Sequence, residues 1–300
     1  MNGLLIIDKP RGLTSHDVVN NVRRIIGQRS VGHLGTLDPL ATGVLPVVFG
    51  SLTRLAQFYS ASEKSYEGTI RFGFATDTYD AEGDPLAPAQ SVSVSIEDLR
   101  LAAQSFRGTI AQTPPPFSAK KIQGVPAYKL ARKKRALALE PVQVEISEFE
   151  ITSFENERAA FRARVASGTY MRSVAHDLGV ALGCGGHLES LRRTRVAEFK
   201  IEDAQTLEQV EVAWQAGKCD DVCVHPRKLM PDMPSVTATD DVAAHIRSGR
   251  PVNLPDFSRA KQVKVFYGQA ELIAIATRVA GTLFHPKIVL ASEPAVHAAG

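Results

Sequence analysis

Twelve residues near the start of the chain, Gly32-His33-Leu34-Gly35-Thr36-Leu37-Asp38-Pro39-Leu40-Ala41-Thr42-Gly43, constrain its fold more than any other stretch. The three glycines permit sharp turns and close approach of a ligand, which neither a regular helix nor a regular strand needs. The stretch reads as a shaped loop. Pro39 holds the residue before it near the extended region, and Leu34, Leu37, Leu40, Val44 and Leu45 surround Asp38 with apolar surface. A carboxylate so placed is costly unless a cation or hydrogen-bond donors accompany it. Asp followed by Pro-Leu-Ala is also the pattern of a helix N-cap with proline at the first helical position. Asp38 is thus either a cap or a reactive group.

With 300 residues, 44% of them hydrophobic and 22% charged, the chain has the balance of an ordinary globular protein of about two domains. No apolar run approaches a membrane span, and the first residues lack the pattern of a signal peptide, so the expected location is the cytoplasm. Cys184, Cys219 and Cys223 are too few and too irregular for a disulfide framework. Cys219, Cys223 and His225 depart from zinc-ligand spacing and lack a fourth ligand, so no metal is expected.

Residues 4–7 form an apolar run stopped by Asp8-Lys9-Pro10, a buried strand. A helix follows, capped by Thr14 or Ser15, with Val18, Val19, Val22, Ile25 and Ile26 inside and Gly27 as its stop. Residues 44–49 read as a strand and 51–59 as a helix. From Tyr66 to Phe74 the period becomes two, a strand with Tyr66 on its apolar side. Asp77, Asp80, Glu82 and Asp84 read as a solvated acidic loop, because a calcium loop needs a preceding helix and a twelfth-position glutamate. Ser95 and Asp98 make a capping box for a helix ended by Gly108. The prolines at 114–116 impose a stiff, extended segment. Val142, Val144 and Ile146, then Phe161, Ala163 and Val165, alternate as two antiparallel strands. Arg172 opens a helix ending near Leu182, a poor place for a cation against the helix dipole unless an opposite charge is near. Gly183-Cys184-Gly185-Gly186 is a helix stop rather than a dinucleotide fingerprint. Another helix occupies residues 206–214. Beyond Pro234 a short helix, 240–247, and strands near 251–254, 263–267, 272–275 and 288–290 make a small β-rich unit.

The formal net charge of +3 is too small to announce a nucleic-acid partner, but its distribution says more. From Lys120 to Arg135 seven residues are basic and none acidic, whereas from Glu140 to Glu157 six are acidic and none basic. The basic run is either a solvated face or a phosphate-binding one.

The twelve-residue loop resembles the active-site signature of the TruB-type tRNA pseudouridine-55 synthases, whose aspartate is the catalytic nucleophile. Five further blocks support the resemblance: Asp8-Lys9-Pro10, Lys64-Ser65-Tyr66, Pro116-Phe117-Ser118-Ala119-Lys120-Lys121 with Arg132 beyond, Gly168-Thr169-Tyr170-Met171-Arg172-Ser173, and Leu191-Arg192-Arg193. It extends from residue 3 to about 230. It implies that Asp38, Tyr66 and Arg172 are catalytic, with Arg172 pairing with Asp38 and Tyr66 stacking on the base. It further implies that Tyr170, Leu191 and Lys9 line the substrate site and that His33 fills the space left by the extruded base. Lys120, Lys121, Arg132, Arg192 and Arg193 would face RNA. The implied fold is α+β: a mixed, largely antiparallel sheet with flanking helices in residues 1–230, and a PUA-like RNA-binding unit in 231–300.

Converting uridine to pseudouridine breaks N1–C1′ and makes C5–C1′ without redox change or external group, so no cofactor is expected. The residues leave open whether Asp38 attacks the ribose or the base. The expected partner is the T stem-loop of tRNA, bound by a monomer with neither metal nor membrane. Two other classes are a non-catalytic RNA-binding or tRNA-folding module, with Asp38 as a cap, and a hydrolase pairing Asp38 with Asp8 or Asp77.

Overall fold

A computed structural model describes residues 1–117, the backbone of 121–122 and 125–126, and residues 140–290. Apolar runs make the first strands: β1 (Gly3–Lys9), short β2 (Val31–His33) and β3 (Thr42–Phe49), with β3 pairing antiparallel to both others. Next come β4 (Lys64–Phe72), β5 (Gly108–Gln112) and a separate two-stranded ladder of β6 (Lys121–Ile122) with β7 (Val125–Pro126). The long β8 (Val142–Glu155), β9 (Arg158–Val165), β10 (Gly186–Val196) and β11 (Phe199–Lys200) complete the first domain.

The main sheet runs β1-β3-β10-β4-β9-β8-β5, with β2 added on β3 and β11 on β10. All its pairings are antiparallel except β3 with β10, which touch in parallel at Thr42 with Arg192 and Gly43 with Arg193. The glycine-rich loop enters β3 at this seam. Helix Ser15–Ile26 packs on β1 and β3, while helices Ile96–Gln104 and Met171–Ala181 cover β4, β8 and β9. Thr14 and Ser95 cap their helices through reciprocal bonds with Asp17 and Asp98, and Thr206 does the same with Gln209 for helix Leu207–Gln215.

A second, five-stranded sheet follows: β12 (Ser235–Ala238), β13 (Val252–Asn253), β14 (Gln262–Tyr267), β15 (Glu271–Ala280) and β16 (Leu283–Val289), ordered β12-β14-β15-β16-β13. Helix Asp240–Arg247 packs against it. The two sheets share one apolar cluster, in which Leu4, Val48 and Phe199 meet Phe266, Ile275 and Ile288. Burying that surface at about 25 cal/mol per Å² makes the second sheet an integral neighbour of the first. The buried ammonium of Lys264 adds hydrogen bonds to the carbonyls of Leu229 at 2.7 Å and Met230 at 3.0 Å.

This is the α+β arrangement expected from the sequence, with local corrections. Residues 51–59 form a 3-10 turn, Gly50–Leu55, before the single helical turn Ala56–Tyr59. Gly108 opens β5 instead of ending a helix, which stops at Gln104. Strands β10 and β12 were not anticipated. In β10, bulges between Leu188 and Ser190 and between Arg193 and Arg195 break the alternation that announces a strand.

Candidate active site

The loop between β2 and β3 is stitched down by its backbone. Buried Arg193 on β10 donates from Nη2 to the Gly35 carbonyl (3.0 Å), from Nη1 to that of Thr36 (3.1 Å) and from Nε to that of Val44 (2.8 Å). The Ser15 hydroxyl donates to the Leu37 carbonyl and accepts from its N–H, at 3.0 and 2.8 Å. The Pro39 carbonyl accepts from Gly12 N–H at 2.8 Å and from Lys9 Nζ at 3.4 Å, and the Asp38 carbonyl from Ala41 N–H at 3.1 Å. Carbonyls 35 through 39 are therefore all engaged. Gly43 has a φ of 98°, and a Cβ there would sit 2.2 Å from the Arg193 carbonyl, so only glycine allows this approach of β3 to β10.

Asp38 caps no helix. A bend at Pro39 and Leu40 leads straight into β3, and the Asp38 side chain turns to a cavity of about 270 Å³. Gly35, Lys64, Tyr66, Tyr170, Arg172 and Leu191 are among the residues lining it. Arg172 Nε lies 2.9 Å from Asp38 Oδ2, a close ion pair without the alignment of a hydrogen bond. The rest of the guanidinium is held by the Thr78 carbonyl (3.2 Å), the Phe117 carbonyl (3.0 Å) and Asp80 Oδ2, 3.5 Å from Nη1. The two carboxylates and the guanidinium thus form one charge cluster, closed by protein on the Asp80 side and open to the cavity on the Asp38 side. A larger cleft of about 760 Å³ opens where the two sheets meet, lined by Tyr59, Glu198 and Met230. It lacks this pairing of a half-exposed carboxylate with a buried arginine, so size does not locate the chemistry.

Several expected residues converge on the cavity. Tyr66 stands on β4 opposite Arg193 on β10, its phenol close enough to interact electrostatically with that guanidinium. Leu191 and Tyr170 form further wall. Others lie elsewhere. Lys9 is fully buried beneath the loop and gives its ammonium to the carbonyls of Pro10, Leu13 and Pro39. Burial pushes it down to about 8 against the pull of Asp38. His33, at the end of β2, accepts the Gly35 N–H at 3.3 Å, and burial holds its pKa below the usual value. Arg192 makes a two-pronged pair with Asp8, 2.8 and 3.1 Å. Arg193, expected to face phosphate, is 1% exposed and spends its donors on the carbonyls of Gly35, Thr36 and Val44, which corrects that expectation. Lys120, Arg132 and the side chain of Lys121 lie outside the described residues.

The acidic loop is a second correction. Asp80 is buried, its Oδ1 accepting from the Thr78 hydroxyl (2.7 Å) and the Glu82 N–H (3.1 Å) while Oδ2 faces Arg172. A carboxylate enters a protein interior when a cation waits there, and its distance in sequence from Arg172 hid that cation. Sequence reasoning also missed Ser15 and Gln112. Lys64, whose block was noticed only for Tyr66, lines the cavity with its ammonium lowered to about 8 by burial and by Arg193. Neither Asp8 nor Asp77 lines it, so the paired-carboxylate hydrolase has no second acid in place.

Comparison with known proteins agrees with this architecture. The chain superposes on the structure of an H/ACA ribonucleoprotein bound to a substrate RNA containing 2′-deoxyuridine, with TM-score 0.71 and 25% identity over 97% of this chain and 85% of that one. An archaeal box H/ACA Nop10–Cbf5 complex matches with TM-score 0.69 and 25% identity, over 96% and 86% of the two chains. The fold is that of the pseudouridine synthases. Residues 23–171 match the N-terminal domain of the TruB family of pseudouridylate synthases, and 172–231 match the tRNA pseudouridylate synthase B C-terminal domain. The tRNA pseudouridine synthase B of Solibacter usitatus is 48% identical over 97% of this chain and the whole of its own length. The Aquifex aeolicus protein of the same name is 37% identical over equal shares. The chain belongs to the TruB family.

Proposed function

We propose that the protein isomerises uridine 55 in the T loop of tRNA to pseudouridine, with Asp38 as nucleophile. The observation that carries this reading is the Asp38 carboxylate, partnered by Arg172 at 2.9 Å, at the edge of a cavity of about 270 Å³. That is slightly below the roughly 300–1,000 Å³ of ordinary ligand pockets, room for an extruded base. The names of the relatives support tRNA as the substrate.

A uridine inside folded RNA must be extruded to reach Asp38. Tyr66 then stacks on the base, Leu191 and Tyr170 bound its edges, His33 fills the space the base leaves in the RNA, and Lys9 supports the loop from beneath. Arg172 pairs with the nucleophile and holds it at the cavity edge. The N1–C1′ bond breaks, C5–C1′ forms, C5 gives up its proton and N1 takes one, so atoms and electrons balance within the nucleotide. Arg192, with Lys120, Lys121 and Arg132, supplies charge for the RNA backbone. The second sheet, about residues 231–300, acts as a PUA-like RNA-binding unit. The test is an unmodified tRNA transcript incubated with the protein, then carbodiimide labelling and primer extension; a stop one nucleotide 3′ of position 55 is expected. Its absence from the T loop sinks the assignment.

A further inference from the structure

We infer that Gln112 is a positioning residue for Arg172, acting through the Tyr170 peptide; the role rests on the reaction proposed above. Gln112 ends β5 and is 1% exposed. Its Oε1 accepts the Tyr170 N–H at 2.8 Å, and its Nε2 donates to the Tyr170 carbonyl at 3.1 Å. One side chain thus gives a residue both of the backbone hydrogen bonds a neighbouring strand would give. The place matters, because helix Met171–Ala181 begins there with no side-chain cap of its own, and Arg172 is its second residue.

Two further ties come from the same segment. Ser173 Oγ donates to the Thr113 carbonyl at 2.7 Å, and Arg172 Nη2 to the Phe117 carbonyl at 3.0 Å. The prolines between have fixed φ and no N–H, so the segment is stiff and offers carbonyls without competing donors. Gln112 is the end of this bracket that sets the angle at which the helix starts. Turning the Tyr170 peptide would turn the root of Arg172, and with it the guanidinium beside Asp38. Both bonds require a side chain that donates and accepts at this length: asparagine is a methylene short, and an ionised glutamate only accepts.

The experiment compares wild type, Gln112→Met and Gln112→Glu in single-turnover assays with saturating tRNA transcript, following release of the C5 hydrogen as tritium from pH 6 to pH 8. RNA affinity and melting temperature are measured alongside. Gln112→Met is expected to lose roughly tenfold or more in rate, since small misplacements of catalytic groups have effects of that size, with RNA affinity within about twofold of wild type. Gln112→Glu is expected to regain rate relative to wild type as pH falls, or to match it throughout. Burial raises the carboxyl pKa, and the protonated acid restores the missing donor. A Met variant with wild-type rate, or a Met loss explained by RNA affinity, overturns the role. So does a Glu variant that tracks the Met variant at every pH, which also decides the matter if Gln112→Met does not fold. A wild type that makes no pseudouridine overturns the reaction and this role in it together; a wild type that does, with unchanged variants, overturns only the role.

Discussion

Arg172 and Asp80 face each other at 3.5 Å with side chains that are each 7% exposed, while Asp38, against the same guanidinium, is 40% exposed. The closed side anchors the arginine, and the open side presents Asp38 to the cavity. Asp80→Asn removes the anchor and leaves Asp38 as the only carboxylate on the cation. Breaking a buried pair costs on the order of 3–5 kcal/mol, and the remaining pair should hold the loss to the lower end. The expected outcome is a lower melting temperature, near-normal RNA affinity and a much slower single turnover. An Asn variant as fast as wild type would show that Asp38 alone orients Arg172.

Asp38 itself separates structure from chemistry. Since no helix follows it, the roughly 1 kcal/mol gap between Asn and Ala that a lost cap produces should be absent. Asp38→Asn and Asp38→Ala should melt alike, bind tRNA and release no tritium from C5. Turnover near wild type by the Asn variant, with host enzyme excluded, would end the nucleophile assignment.

Tyr66 offers a ring to the cavity and sets its phenol beside Arg193. Phe keeps the ring; Leu loses it, and stacking on a base is worth about 1–3 kcal/mol. Binding of a transcript should weaken for Tyr66→Leu and not for Tyr66→Phe. The Phe variant should still turn over slowly if the hydroxyl serves proton transfer; wild-type speed for Phe would reduce Tyr66 to a stacking surface.

Lys9 gives the fold a pH signature. Its ammonium is pushed down to about 8 from an ordinary 10.5, so between those values the unfolded chain binds the extra proton and stability rises with pH. Lys9→Met lacks this component and also the three hydrogen bonds to carbonyls. It should be less stable at every pH, by a margin that grows from about pH 8 toward pH 10.5. Denaturant melts at pH 7, 8.5 and 10 measure the margin; one that shrinks as pH rises would contradict the burial-driven shift.

Local chemistry was the legible part of the sequence. Thr14, Ser95 and Thr206 act within their own turns, so their helices could be read from spacing alone, as could the apolar runs of β1 and β3. What escaped depended on partners far away in the chain. Asp80 looks like any solvated acid until Arg172 is folded beside it, and Arg193 looks like a surface cation until the loop carbonyls close around it. Gln112 carries no charge and no pattern; its value lies in one peptide 58 residues further on. Even the cap reading of Asp38 was sound local grammar, overridden because the chain after Leu40 pairs with β1 and β10 instead of coiling.

The carbonyl ties from Gly35 to Pro39 bear on timing. Every tie is made by residues of the protein itself, so the loop takes its shape when β3 and β10 pair, before any RNA arrives. Little reorganisation is left for the encounter. The slow event on the way to reaction is then predicted to lie in the nucleic acid, in the opening of its own structure. The observed rate should respond more to changes that loosen or stiffen the RNA than to solvent viscosity or to substitutions that soften the protein backbone.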